Sequence, residues 1–147
     1  MQLQGFDAIE LSRASTRIAI VPALGGKIAS MRMAGREWLW TSDTIAYARG
    51  QDGASYVETA DTGGYDECFP TVGACRVPAE VPRFGGLRLP DHGELWSQQP
   101  AVAVGPDGNE ATLTWIGRRM PYEFARTVRV EPDGRVAMRY EIGRAHV

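Results

Sequence analysis

Apolar and polar positions alternate at both ends of this chain and lose that order in between. Ile18-Ala19-Ile20-Val21 is a short apolar run closed by Pro22, the pattern of a buried strand. Gly25-Gly26 marks a turn, and Lys27-Ile28-Ala29-Ser30-Met31-Arg32-Met33 begins a second strand. Strict alternation there puts Ile28, Ser30 and Arg32 on one face and Ala29, Met31 and Met33 on the other, apolar face. Ala34-Gly35 predicts a further turn leading into Glu37-Trp38-Leu39-Trp40.

The pattern returns after Asp91. Strands are expected at 101–104, 111–116, 124–130 and 135–140, with Val136, Met138 and Tyr140 on one face of the last. Gly105-Pro106-Asp107-Gly108-Asn109 and Glu131-Pro132-Asp133-Gly134 supply turns, since proline presets φ and glycine accepts positive φ. Short strands joined this way predict an antiparallel meander. No stretch carries a capped 3.6-residue stripe, so little helix is expected. The expected class is therefore all-β, an antiparallel β-sandwich.

Residues 41–90 differ. They are rich in Gly, Pro, Asp and Thr and weakly periodic, as functional loops often are. Tyr47, Tyr56, Tyr65, Phe69 and Phe84 argue against disorder there. The last residues, Ile142-Gly143-Arg144-Ala145-His146-Val147, lack the preceding alternation. In one frame they back-translate to the start of a common sequencing adapter (ATC GGA AGA GCA CAC GTC). The expectation is a domain portion over 1–141 and a non-native read-through tail over 142–147.

Composition narrows the function. The 147 residues fit one domain and carry a formal net charge of −2. With no basic run, nucleic acid is an unfavourable partner. No apolar stretch reaches the roughly 20 residues of a membrane helix. The start, Met1-Gln2-Leu3-Gln4-Gly5, has neither basic region nor apolar signal core, so a cytoplasmic location is expected. Cys68 and Cys75 match neither a CxxC redox pair nor a zinc knuckle and are expected as reduced, partly buried thiols.

The chemistry concentrates in two glycine-framed segments, Gly63-Gly64-Tyr65-Asp66-Glu67-Cys68-Phe69-Pro70 and Leu89-Pro90-Asp91-His92-Gly93-Glu94-Leu95-Trp96. His92 titrates near neutrality when unperturbed and is the candidate acid–base or binding group. Asp91 or Glu94 is placed to hold its tautomer, and in an extended segment His92 and Glu94 would project to the same side. Asp66 and Glu67 suit the hydroxyls of a neutral, polyhydroxylated ligand and would repel a phosphate. Trp96 offers a face for stacking on a sugar ring, whereas Trp38, Trp40 and Trp115 read as packing. A solvated loop and a structural histidine are the plainer alternatives. No P-loop, GxSxG elbow, dinucleotide fingerprint or HExxH is present.

These segments, in this order, resemble the galactose mutarotase-like superfamily, the aldose 1-epimerases and their relatives. Ile20-Val21-Pro22-Ala23-Leu24-Gly25-Gly26-Lys27-Ile28 is similar to the family's first hairpin. Gly63 to Pro70 is similar to its "GG-x-x-x-C/M-F/W-P" loop, and Pro90 to Trp96 to its "HG" segment. The "N-x-L-H-G" form of the galactose mutarotases proper is missing. The resemblance implies a β-supersandwich roughly twice this length, larger than a typical single domain, of which this chain would be the N-terminal portion. It implies anomer interconversion of an aldose, with His92 binding the sugar near its reacting centre as the catalytic residue, and Asp66, Glu67, Asp91, Glu94 and Trp96 as substrate-binding residues. It implies neither cofactor nor metal, because both steps are proton transfers. The family's second histidine and late glutamate have no counterpart here; His146 stands in the wrong context. A non-catalytic carbohydrate-binding domain is the alternative expectation.

Overall fold

The alternation closes into paired strands in a computed structural model that describes residues 1–145. β1 (Gln2–Leu3) and β2 (Phe6–Asp7) form a small hairpin. β3 (Ile9–Arg13), β4 (Thr16–Val21), β5 (Lys27–Met33) and β6 (Arg36–Glu37) make a first four-stranded sheet. The middle of the chain holds one helical turn, α1 (Tyr56–Thr59), and a two-residue ladder between β7 (Cys75–Arg76) and β8 (Arg88–Leu89). β9 (Ala101–Val104), β10 (Glu110–Ile116), β11 (Tyr122–Val130) and β12 (Val136–Arg144) make the second four-stranded sheet. Each strand of the two larger sheets pairs antiparallel with its sequence neighbour. Both proline-glycine turns sit where expected, with Gly108 and Gly134 at positive φ.

Alternation explains why the sheets face each other. Leu11, Ile18, Ile20 and Ile28 of the first sheet meet Leu113, Trp115, Phe124 and Val128 of the second in one core. Removing each such side chain from water contributes roughly 1.5–3 kcal/mol. The result is the expected all-β, antiparallel sandwich. Among the described residues, helix is limited to α1 and two short 3₁₀ turns, Pro22–Leu24 and Leu95–Ser97. Among the described residues no helix is long and apolar enough to cross a membrane.

Two local expectations change. On β5, Ala19 pairs with Ser30 and Ile20 with Ile28, which leaves Ala29 as the extra residue of a bulge. A bulge shifts the parity of the strand. Ile28 and Met31 therefore share the main core, while Ala29 packs with Ala8, Val21 and Leu24 in a second cluster. The last strand also runs past its expected end at Tyr140. Ile142, Gly143 and Arg144 continue β12, paired with Phe124, Glu123 and Tyr122. Backbone hydrogen bonding needs no side-chain alternation, and β11 offers partners back to Tyr122. His146 and Val147 lie outside the described residues.

The irregular middle is sewn onto this frame. Ile28 and Tyr65 exchange backbone hydrogen bonds of 3.0 Å, and the Gly64 amide donates to the Trp40 carbonyl at 2.7 Å. The histidine segment is then sewn to the acidic one: the His92 amide donates to Val72 and the Glu94 amide to Phe69, both at 2.9 Å.

Candidate functional site

The contact between the two glycine-framed segments depends on backbone shape. Phe69 and Gly93 form a parallel bridge. A Cβ on Gly93 would lie 2.0 Å from the Phe69 carbonyl oxygen, and its φ is +68°. Only glycine fits there. His92 is also left-handed, at φ +54°. The segment is thus a tight turn and not the extended stretch expected from sequence, so His92 and Glu94 do not share a side.

His92 stays half-buried, its ring stacked on Tyr56 with centroids 4.6 Å apart and planes 20° apart. Its Nδ1 lies 3.0 Å from Asp91 Oδ2, yet that nitrogen is enclosed and has no aligned hydrogen-bond partner. Asp91 lines an open cleft of about 400 Å³ together with Ser55, Ala74, Arg88 and Arg119. Asp91 and His92 keep side-chain exposures of 34% and 23% and remain within a ligand's reach.

The other expected ligand-binding side chains lie deeper. Asp66 is 5% exposed, ion-paired with the equally buried Lys27 and accepting a 2.7 Å hydrogen bond from the Tyr56 hydroxyl. Burial raises its pKa, while Lys27 and then Tyr56 pull the other way. Glu67 accepts a 2.8 Å bond from Arg126, which has no exposed side-chain surface. Glu94 is wholly buried: Oε1 accepts from Tyr122 Oη and the Arg118 amide, Oε2 from Arg119 at 2.6 Å. Burial, then the hydrogen bond to Glu94, pushes the Tyr122 hydroxyl far up. These three carboxylates are committed to protein partners because a buried charge without one is very costly. Trp96 is 3% exposed, with the backbone of Gly25 and Gly50 closed against it. Its face is packing surface and offers no open platform.

Several residues of this region escaped the sequence reading. Tyr56 bridges the two segments. Lys27 and Arg126 neutralise Asp66 and Glu67; Arg126 gave a signal, since it occupies an inward parity of β11 between Phe124 and Val128. Trp38 and Trp40, expected as packing, are 54% and 69% exposed. Both cysteines are free and exposed, not partly buried as expected. Partial cover of its sulfur, then the fields of Asp66, Glu67 and Asp91, push the Cys68 thiol up. Among the described residues no group of three or more His, Cys, Asp or Glu is arranged to hold a metal ion.

The fold has a solved counterpart. The chain is similar to the Slr1438 protein from Synechocystis sp. PCC 6803, with a TM-score of 0.68 at 15% sequence identity. The match covers 98% of this chain and 51% of that one, so the chain spans about half the length of that structure. No protein-family profile and no curated protein matches the chain. The likeness is one of fold.

Proposed function

We propose that this chain is the sugar-binding portion of an aldose 1-epimerase-like enzyme, with His92 meeting the substrate at its reacting centre. The observation that carries the reading is the placement of His92, stacked on Tyr56 and next in sequence to Asp91, a wall residue of the open cleft. A cleft of about 400 Å³ is of ligand-pocket size. The motif order described above supports the choice of sugar chemistry. Within this reading, a base takes the proton of the anomeric hydroxyl and an acid protonates the ring oxygen. The ring opens, the C1–C2 bond rotates, and closure on the other face reverses the roles. His92 contributes one polar contact or proton at that centre. Glu94 holds Arg119 of the cleft wall, Asp66 and Glu67 are taken up by Lys27 and Arg126, and Asp91 is the carboxylate left to touch a sugar hydroxyl.

Two measurements test this. Aldoses such as glucose and galactose, added to the chain, shift the amide resonances of Asp91, His92 and Gly93 saturably; spectra without such shifts overturn the reading. Anomer exchange by NMR magnetisation transfer is measured on a longer protein that supplies the second histidine and the glutamate the resemblance implies. There His92→Ala lowers exchange by about 100-fold or more, as loss of a positioned acid–base group requires. Saturable binding with exchange at the spontaneous rate favours the non-catalytic carbohydrate-binding alternative.

A further inference from the structure

We infer that Tyr56 is the positioning residue of His92, and that it ties the imidazole to the buried Lys27–Asp66 pair. The inference rests on the role proposed for His92. α1 is only four residues long, too short to be stable by its own hydrogen bonds. Its N-cap, Ser55, makes no side-chain cap bond, and none of its residues is fully buried. What fixes Tyr56 is its own side chain. The hydroxyl is latched to Asp66 at 2.7 Å, the ring face lies on His92, and the ring of Trp96 meets it edge-on at 5.4 Å.

The other candidate for orienting His92 is Asp91, whose carboxylate approaches Nδ1 without aligning a hydrogen bond. The backbone does not hold the ring either: the His92 amide is bound to Val72, but a non-glycine residue at φ +54° is in a sparsely populated region. The stacked phenol is therefore the contact that sets the plane of the imidazole. Burial, then the field of Asp66, pushes the Tyr56 hydroxyl far up, so it remains a donor across the physiological range. Asp66 Oδ2 accepts that bond and is also the oxygen that Lys27 Nζ holds. A chain of contacts thus runs from an ammonium at the start of β5 to the imidazole next in sequence to Asp91 of the cleft wall.

The test compares Tyr56→Leu, which removes both stack and latch, with Tyr56→Phe, which removes only the latch. The first readout is the pair of His92 ring-proton resonances, shielded in the unaltered chain by the aromatic face. The second is aldose affinity. Tyr56→Leu is expected to move the ring protons downfield and to weaken sugar binding about 3- to 10-fold, the range an aromatic pair supports. Tyr56→Phe keeps most of the shielding and shows a smaller loss of the same sign. His92 resonances left in place in Tyr56→Leu overturn the inference, and so does an unchanged affinity when they move. Should Tyr56→Leu not fold, Tyr56→Phe decides: a His92 spectrum identical to the unaltered chain overturns the tie to Asp66. If the unaltered chain binds no aldose, the functional reading fails, while the ring-proton shifts still decide whether Tyr56 orients His92.

Discussion

Lys27 and Asp66 show how one buried charge dictates another. Each side chain is at most 5% exposed, and each is the other's compensation. Removing one partner of such a pair costs about 3–5 kcal/mol, because the remaining charge is stranded. Lys27→Met should therefore destabilise the fold by that order. The pH dependence follows from the raised pKa of Asp66, which burial lifts above 3.8. A raised acid contributes stability that is full below its ordinary value and is lost as pH rises through the folded value. The deficit of Lys27→Met is accordingly largest near neutrality and narrows as acid protonates the lone carboxyl. Thermal melts of both proteins across that range check it; a deficit independent of pH contradicts the assignment. At this scale the sequence was uneven. The chemistry-bearing types were visible in Asp66, Glu67, His92 and Glu94, but their pairing was not. Lys27 reads as an ordinary polar strand start, and nothing local tells that a turn 39 residues on supplies its anion. Arg126 was different: a charge at an inward parity demands a buried partner, and Glu67 is that partner.

Among the elements, the strands carrying alternation were legible, and those altered by a bulge or a tight turn were not. β10, β11 and β12 follow the predicted order, because side chains on opposite faces of one strand feel opposite environments. The bulge at Ala29 leaves no mark in composition, and it brings Ile28 and Met31, expected on opposite faces, onto one face. β3 is absent from the expected strands although Ile9 and Leu11 alternate with Glu10 and Ser12. The turn through His92 and Gly93 was the costliest omission, since assuming extension put Glu94 beside the imidazole. That turn carries its own prediction. Gly93→Ala forces a left-handed φ on an L residue, which alone costs about 1–3 kcal/mol, and it drives a methyl into the Phe69 carbonyl. Gly143→Ala on β12, where a Cβ meets nothing within 4 Å, serves as the control and should change stability by less than about 0.5 kcal/mol. Urea unfolding of the two variants gives the comparison; equal midpoints would contradict the claimed role of the turn.

For the whole molecule, the two layers are joined by more than apolar contact. Arg126 reaches from β11 to the Gly26 carbonyl at the head of β5 and to Glu67 in the acidic turn, so one side chain touches both sheets and the segment between them. The sandwich class was legible because its period-two signal repeats many times. The course of residues 41–90 was not, since it is fixed by contacts with distant strands and not by any local period. The open side of the second sheet has a further consequence. β12 is an edge strand of nine residues, with Tyr140 and Ile142 at 40% and 57% exposure. Unpaired edges of this kind recruit other strands. The 147-residue chain is expected to self-associate with rising concentration, and Ile142→Lys to return it toward the monomer in sedimentation velocity. A single monomeric species at all concentrations in the unaltered chain would count against this.

The Phe69–Gly93 bridge makes the acidic and histidine stretches one mechanical piece, so neither can be redrawn alone. The hairpin carrying Arg76 and Arg88 hangs outside that suture, solvent-exposed at both arginines, while Arg88 still borders the cleft. Under the proposed sugar-binding function, selectivity among sugars is most freely rewritten there, by exchanging loop residues that the rest of the protein does not lean on.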